Sequence, residues 1–373
     1  MSSHTVSMSE ENALLIDPSV VGQSHILVNT GMVCLAASRY TRVTVIAEST
    51  HCDALEQYLD LNIASRVTFI PWSRRAEIRS IVHKLIAKDR FDLVLFTNLE
   101  YGIFVYMNVF HRGITQRPIL WTLHSHLVNL GLTSRVTRIK NFVKWYFLFC
   151  AFRKVKFIAL GGRIRANIET AIGPLFYRSN IAALMHPVGI RKLPGPALDA
   201  SDIRTRSPRV IFMSGWHGLS PKNKELLGEL ERLDSSSSRF ELVSLSNSFK
   251  SVSNQKVKSF AIDYADRLKE ITKADFFLHL PSDPYRLHAS GAVMDMLLTG
   301  TPIIGLRTDF GEELAEIIGP FGYFFDKHDE VLRFFSSSDF NPAEFDQFRS
   351  NLAAGYEKIV ALNQTQFDDV LSS

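Results

Sequence analysis

The sequence predicts an α/β chain of two domains, each a parallel sheet with helices on both faces. Three observations carry that prediction. Short apolar runs alternate with helical patterns twice, from Ala13 to Leu160 and again from Val210 to Gly305, the order from which parallel sheets are built. Between them HPVGIRKLPGPALDASDIRTRSP, His186 to Pro208, is rich in Pro, Gly and polar residues and lacks either periodicity, as a linker should. The 373 residues exceed the usual single domain, and 46% hydrophobic content is ample for two cores. The expected division is residues 1–188, a linker at 189–207, a second domain at 208–342, and a C-terminal helix and tail at 343–373.

In the first half, Ala13 to Ile16 reads as a buried strand, after which Asp17, Pro18 and Ser19 turn the chain. Gly22 and Ser24, as turn residue and cap, precede a helix from His25 to Ala37. Arg42 to Ala47 is the second strand, followed by Val67 to Ile70, Leu93 to Phe96, Ile119 to Thr122 and Phe157 to Leu160. Ile78, Ile81, Val82, Leu85 and Ile86 recur at helical spacing and leave Arg74, Arg75, Arg79, Lys84 and Lys88 to solvent.

In the second half, Val210 to Met213, Leu242 to Leu245 and Phe276 to Leu280 are expected strands, Lys224 to Leu233 and Arg267 to Lys273 are expected helices, and the Ser235 to Ser238 run is expected as a surface loop. Pro281, Ser282, Asp283 and Pro284 break the strand that ends at Leu280. Ser290 and Gly291 then open a helix through Ala292, Val293, Met294, Met296, Leu297 and Leu298, with Gly300 as its stop and Pro302 just beyond. A helix N-terminus behind a polar loop offers backbone N–H groups and a positive dipole end to a phosphate or carboxylate. Thr301 to Gly305 begins the next strand, and Phe345, Phe348, Leu352, Tyr356, Ile359 and Leu362 mark a terminal helix.

A net charge of +4 and a pI near 8.9 mildly favour anionic partners such as nucleotides, phosphates or lipid head groups, without demanding nucleic acid. Cys34, Cys52 and Cys150 are odd in number and widely spaced, which suggests neither a disulfide framework nor a zinc site. A reducing cytoplasm is the simpler setting. The N-terminus MSSHTVSMSEEN lacks the basic-then-apolar order of a signal peptide, and no apolar run is long enough to span a bilayer.

Several short motifs stand in a telling order. Ala274 and Asp275 precede a short apolar strand ending in Pro281 and Ser282; Asp295 lies five residues before Gly300 of Gly300-Thr301-Pro302; GLSPKN follows directly on His217 and carries Lys222 five residues after it; PILWTLHSH ends a strand in Thr122-Leu123-His124; and VGQSH contains Gly22. Together these resemble the GT-B glycosyltransferases, in particular the group containing glycogen synthase and bacterial mannosyl- and glucosyltransferases. The resemblance covers most of the chain. It implies a GT-B fold, two Rossmann-like domains facing across a cleft, the first for the acceptor and the second for a nucleotide-sugar donor. No cofactor beyond that donor and no obligatory metal are implied.

Glycosyl transfer needs stabilisation of the departing diphosphate and a positioned acceptor hydroxyl. Under the resemblance, Lys222, the N–H groups near Ser290 and Gly291, and His217 or Arg286 are the diphosphate candidates, with Gly22 in the family's first glycine-containing loop. Asp295 would meet the nucleotide ribose. On an otherwise apolar helix its carboxylate also needs a dedicated partner. His124, or Glu100 of TNLEYG, would orient or deprotonate the acceptor hydroxyl.

The chain departs from the family at telling places. Leu287 stands eight residues before Asp295, where retaining members carry a first carboxylate, and His217 stands where an Arg is usual. The stereochemical outcome is therefore open. The implied activity is transfer of a sugar, expected to be a hexose, to a saccharide or lipid-linked saccharide, as in cell-envelope polysaccharide and glycolipid synthesis. A sugar-nucleotide epimerase and a non-catalytic nucleotide-sugar-binding subunit are the alternatives. RVTRIKNFVKWYFLFCAFRKVK, residues 135–156, sets basic residues around the aromatic run Trp145 to Phe152. It suits either peripheral contact with an anionic membrane at its cytoplasmic face or a core helix with solvated basic ends.

Overall fold

A computed structural model of the chain describes residues 11–88, 91–98, 100, 102–103, 106, 119–123, 155–173, 180–189, 207–213, 220–237, 239–245, 264–281, 287–337 and 340–372. By internal contact the chain falls into two units. The first takes in the described residues of Met1–Leu160, Ile168–Ile190 and Asn363–Ser373, and the second those of Gly161–Asn167 and Arg191–Leu362.

The first unit is built on seven strands: β1 (Asn12–Ile16), β2 (Arg42–Glu48), β3 (Val67–Trp72), β4 (Leu93–Phe96), β5 (Ile119–Leu123), β6 (Val155–Ala159) and β7 (Ile181–Ala183). They lie in the order β3-β2-β1-β4-β5-β6-β7, every neighbouring pair parallel. Ala13, Leu14, Leu15 and Ile16 of β1 are all fully buried, which is why the central strand reads as an unbroken apolar run and not as an alternating one. Helices α1 (Ile26–Arg39), α2 (Ser49–Tyr58), the single turn α3 (Leu61–Ala64), α4 (Arg75–Lys88) and α5 (Gly162–Ile172) connect them. On α4, Ile78 and Val82 are buried, while Arg74 and Arg75 before and within its first turn, and Arg79, Lys84 and Lys88, are exposed, as the periodicity predicts.

The second unit has five parallel strands, β8 (Arg209–Phe212), β9 (Glu241–Ser244), β10 (Phe276–His279), β11 (Ile303–Leu306) and β12 (Gly322–Phe325), in the order β12-β11-β10-β8-β9. Its helices are α6 (Pro221–Ser237), α7 (Tyr264–Ile271), α8 (Gly291–Thr299), α9 (Asp309–Ile318), α10 (His328–Ser337) and α11 (Pro342–Ser372). Val210, Phe212, Phe276, Leu278 and Ile304 pack from one sheet face against Leu226, Leu227 and Leu230 of α6, Val331 and Phe335 of α10, and Phe345 of α11. Alternate strand residues meet one helical layer because successive side chains point to opposite faces.

The structure corrects the serine run. Ser235, Ser236 and Ser237 continue α6, and their hydroxyls donate to the carbonyls of Glu231, Leu233 and Leu233. Serine competes with the backbone for hydrogen bonds, which makes a serine cluster look like a loop, but inside a helix the same hydroxyl can bond the preceding turn. Strands β7 and β12 and helices α2, α3, α5, α9 and α10 have no counterpart among the predicted elements.

Two helices are shared in membership. The first turn of α5 belongs to the second unit, where N–H groups of Gly162 and Arg163 donate to Glu313 Oε1 and Oε2 at 2.6 and 2.9 Å. Helix α11 belongs to the second unit up to Leu362 and to the first from Asn363. In the first unit Asn363 Nδ2 donates to the Met185 carbonyl at 2.7 Å, and Gln366 Oε1 accepts from the Met185 N–H at 2.7 Å. Lys156, one of the basic residues of the 135–156 segment, is only 1% exposed and donates through Nζ to the Val370 carbonyl at 2.6 Å. That residue is therefore an interior donor and no part of a basic surface. Residues 135–154 lie outside the described residues.

Candidate functional site

Doubly wound sheets bind ligands at the carboxyl ends of the two strands between which the strand order reverses. In the second unit the chain runs from β8 to β9 on one side and then to β10, β11 and β12 on the other, so the reversal lies between β8 and β10. Two segments leave those carboxyl ends: the connection from β8 into α6, and the loop from β10 into α8. These carry GLSPKN and PSDPYRLHAS, so the topology brings together two motifs that lie about sixty residues apart in the chain.

Helix α6 opens with Ser220, whose Oγ accepts from the Asn223 N–H at 3.2 Å, and with Pro221 in the first turn, where a missing N–H costs nothing. Lys222 is exposed in that turn. Asn223 is 1% exposed. Its Nδ2 donates to the carbonyls of Leu280 and Pro281, each at 3.1 Å, and its Oδ1 lies 2.7 Å from His328 Nε2. Helix α8 opens with Ser290, which the structure makes the N-cap: its Oγ accepts from the Val293 N–H at 3.4 Å. A side chain at Gly291, which is exposed, would meet nothing within 4 Å among the described residues, while Val293 and Met294 of the same turn are buried. The opening N–H groups of any helix lack intrahelical acceptors, and two such turns flank the reversal. Gly300 ends α8 in the left-handed region at φ 69, as its sequence position predicts.

Asp295 is 4% exposed and has a partner on each oxygen. Tyr264 Oη donates to Oδ1 at 2.5 Å and Arg267 Nη2 to Oδ2 at 3.1 Å. Burial raises its pKa, with Arg267 and Tyr264 acting in the opposite sense. Leu287, at the position of the family's first carboxylate, is buried. Asp275 of the Ala-Asp motif sits at the other end of the sheet, where its Oδ2 accepts from the Arg209 N–H at 2.6 Å and ties β10 to β8. At the carboxyl end of β10, burial pushes His279 down to about 4.

In the first unit the reversal lies between β1 and β4. Asp17 follows β1 directly and is buried. Its Oδ1 accepts from the N–H groups of Ser19 and Val20 at 2.9 and 2.8 Å, and its Oδ2 from Asn29 Nδ2 and Thr97 Oγ1 at 2.8 and 2.7 Å. Asn29 Nδ2 also lies 2.8 Å from His51 Nε2, which must accept, so His51 Nδ1 carries the proton and donates to the Gly22 carbonyl at 2.5 Å. Gly22 adopts φ 58, and its N–H donates to Thr50 Oγ1 at 3.0 Å. One network thus sets the whole β1-α1 loop against the start of α2. Ser24, expected as the cap of α1, is displaced from that role by His25, which holds a left-handed backbone at φ 52 with no side-chain cap bond. Burial lowers the His25 pKa, partly offset by Asp17. Glu100 lies beyond β4 and caps the turn after it, Oε2 accepting from the Ile103 N–H at 2.6 Å.

Of the residues singled out by sequence, Gly22 and Glu100 thus fall on the connections leaving the first reversal, and Lys222, Ser290, Gly291 and Asp295 on those leaving the second. His124, His217 and Arg286 lie outside the described residues. Sequence reasoning missed Asn223, His25 and the Asp17 network; the signal available for two of these was an asparagine among the first four residues of each helix that follows a first strand, Asn29 in α1 and Asn223 in α6. Among the described residues, no group of three His, Cys, Asp or Glu side chains could hold a metal ion.

No family model and no curated protein match the chain. Solved structures do. HepE of Anabaena, in complex with UDP-glucose, matches with a TM-score of 0.64 at 16% identity, over 97% of this chain and 100% of its own. The chain has the GT-B glycosyltransferase-like fold. This GT-B chain is similar also to UGT89C1 of Arabidopsis thaliana complexed with UDP-L-rhamnose, with a TM-score of 0.56 at 11% identity over 98% and 99% of the two chains. A Thermobaculum terrenum O-GlcNAc transferase mutant matches at 0.57 and 11%, over 97% of this GT-B chain and 66% of the other.

Proposed function

We propose that the chain is a glycosyltransferase that moves a sugar from a nucleoside-diphosphate donor to a saccharide or lipid-linked saccharide acceptor, in cell-envelope polysaccharide or glycolipid synthesis. The observation that carries the reading is the pair of helix N-termini, α6 and α8, at the strand reversal of the second unit. Two dipole ends and Lys222 suit a diphosphate, whose negative charge grows as the sugar leaves. HepE and UGT89C1, similar in fold, are both described with UDP-sugars bound, which supports a donor of that class. Gly291 leaves room for the phosphates to approach the backbone. His217 and Arg286 complete the diphosphate set in this reading. A carboxylate has about four acceptor positions, so Asp295 would offer the ribose an oxygen already oriented by Tyr264 and Arg267.

On the acceptor side His124 and Glu100 are the proposed bases, and the geometry adds His25. Burial lowers the pKa of that imidazole, which favours its neutral form. The loop bearing Gly22 would frame the acceptor. Contact of residues 135–154 with an anionic membrane would bring a lipid-linked acceptor to the enzyme. Among the described residues, no helix is long and apolar enough to cross a membrane.

Titration calorimetry against UDP, GDP, ADP, TDP and CMP tests the reading. At least one should bind, and Lys222→Ala should weaken a nucleoside diphosphate more than the matching nucleoside. A chain that binds none of them is no glycosyltransferase of this kind. Binding without sugar transfer or donor hydrolysis in the presence of acceptor extracts would instead assign a nucleotide-sugar-binding subunit, the reading favoured by the apolar Leu287.

A further inference from the structure

We propose that Asn223 is a positioning residue for donor binding, acting with His328 to hold the first turn of α6 in register with the loop that leaves β10. This rests on the reading of the second unit as the donor side. Asn223 lies beside Lys222 but turns inward, and its amide spans the strand reversal. Leu280 and Pro281 stand just past the end of β10, where the sheet offers their carbonyls no ladder partner. Leu280 is buried and Pro281 partly so, and carbonyls at such depth left unpaired would be costly. Both Nδ2 protons of Asn223 are spent on them, one each.

That assignment fixes the amide orientation. The reverse orientation would set Oδ1 against two carbonyl oxygens, which cannot donate. Oδ1 therefore faces His328, and His328 Nε2 is the donor across the 2.7 Å contact. His328 begins α10, which packs against α6 around Leu227, Leu230, Val331 and Phe335. One side chain thus joins the starts of α6 and α10 to the β10 loop. Lys222 with its turn, and Leu280 and Pro281 from which the chain runs on toward Ser290, would flank the diphosphate and are kept at one separation by Asn223. A displacement of an ångström between such parts is enough to weaken binding of a ligand that touches both.

The alternative is a purely structural asparagine, whose loss would lower stability and weaken every ligand alike. Calorimetry on Asn223→Ala, His328→Leu and His328→Gln separates the two, using whichever of UDP, GDP, ADP and TDP the wild type binds and its nucleoside. Asn223→Ala should lose roughly tenfold or more in diphosphate affinity, because the two gripping parts lose their common register, with the nucleoside affinity changed far less. His328→Leu should move the same way, and His328→Gln, which can still donate to Oδ1, should restore affinity. If Asn223→Ala does not fold, the His328 pair decides alone. Equal losses for diphosphate and nucleoside, no loss at all, or a Gln variant no better than Leu would each overturn the positioning role. A wild type that binds none of the four overturns the donor-side reading and this role with it.

Discussion

Asp295 and Asp275 both belong to motifs that point to a fold, yet the structure gives them different work. Asp275 joins the amino ends of two strands, whereas Asp295 is held between Tyr264 and Arg267 at the helix that starts from the β10 loop. Asp295→Ala strips a buried tyrosine hydroxyl and a guanidinium of their acceptor, so urea denaturation should show a loss of about 3 kcal/mol. Tyr264→Phe, which removes one donor and leaves the ion pair, should cost about 1 kcal/mol. Equal losses would mean that the ion pair adds nothing. The need of Asp295 for a partner was legible from its apolar neighbours. The partners themselves were not, because Tyr264 and Arg267 come from another helix and no local pattern links them. Gly305 has an equally firm reading, since a Cβ there would meet the His279 carbonyl oxygen at 2.1 Å and its carbon at 2.8 Å. Backbone cannot give way cheaply, and the strand accepts no larger residue.

Elements were legible where an apolar period and a terminus signal coincided. Helix α8 had both, with Ser290 to start it and Gly300 to end it, and its limits agree with the sequence. Removing the cap in Ser290→Ala should cost about 0.5–1 kcal/mol in thermal or urea unfolding, the low end because the cap bond is long. Helix α6 lost its last turn in the reading because serines signal loops more often than helices. Replacing Ser235, Ser236 and Ser237 by alanine should raise stability by a few tenths of a kcal/mol each, since alanine is the better helix former. A drop in stability, or none measurable in the triple variant, would speak against a regular helix there. Helix α9 carried a signal that could have been used, as Phe310, Leu314 and Ile318 repeat every fourth residue and are all buried. Strand β7, with three residues, had too few to show any period.

For the whole molecule, the alternation of strand and helix was enough to give two parallel sheets, but the sharing of α5 and α11 between units was not. Such membership depends on contacts far apart in sequence, which no window of residues contains. Acid sensitivity is also a property of the whole chain. His186 and His279 are buried, one in each unit, and burial pushes both to about 4. An unfolded chain takes up their protons below about 6.5 while the folded chain refuses them until about 4, so the unfolded state gains on acidification. Stability should be fully present at pH 7 and fall progressively toward pH 4, by on the order of 3 kcal/mol for each histidine. Denaturant midpoints across that range check this, and a flat profile would show that the imidazoles titrate freely.

Helix α11 carries a consequence for the order of synthesis. A ribosome releases Lys156 and Met185 long before Asn363, Gln366 and Val370, the residues that satisfy them. A domain made first usually folds first. Here the unit begun first must wait for the last turns of the last helix, while the unit begun second has all of its residues once Leu362 emerges. The half of the chain that is started first is finished last.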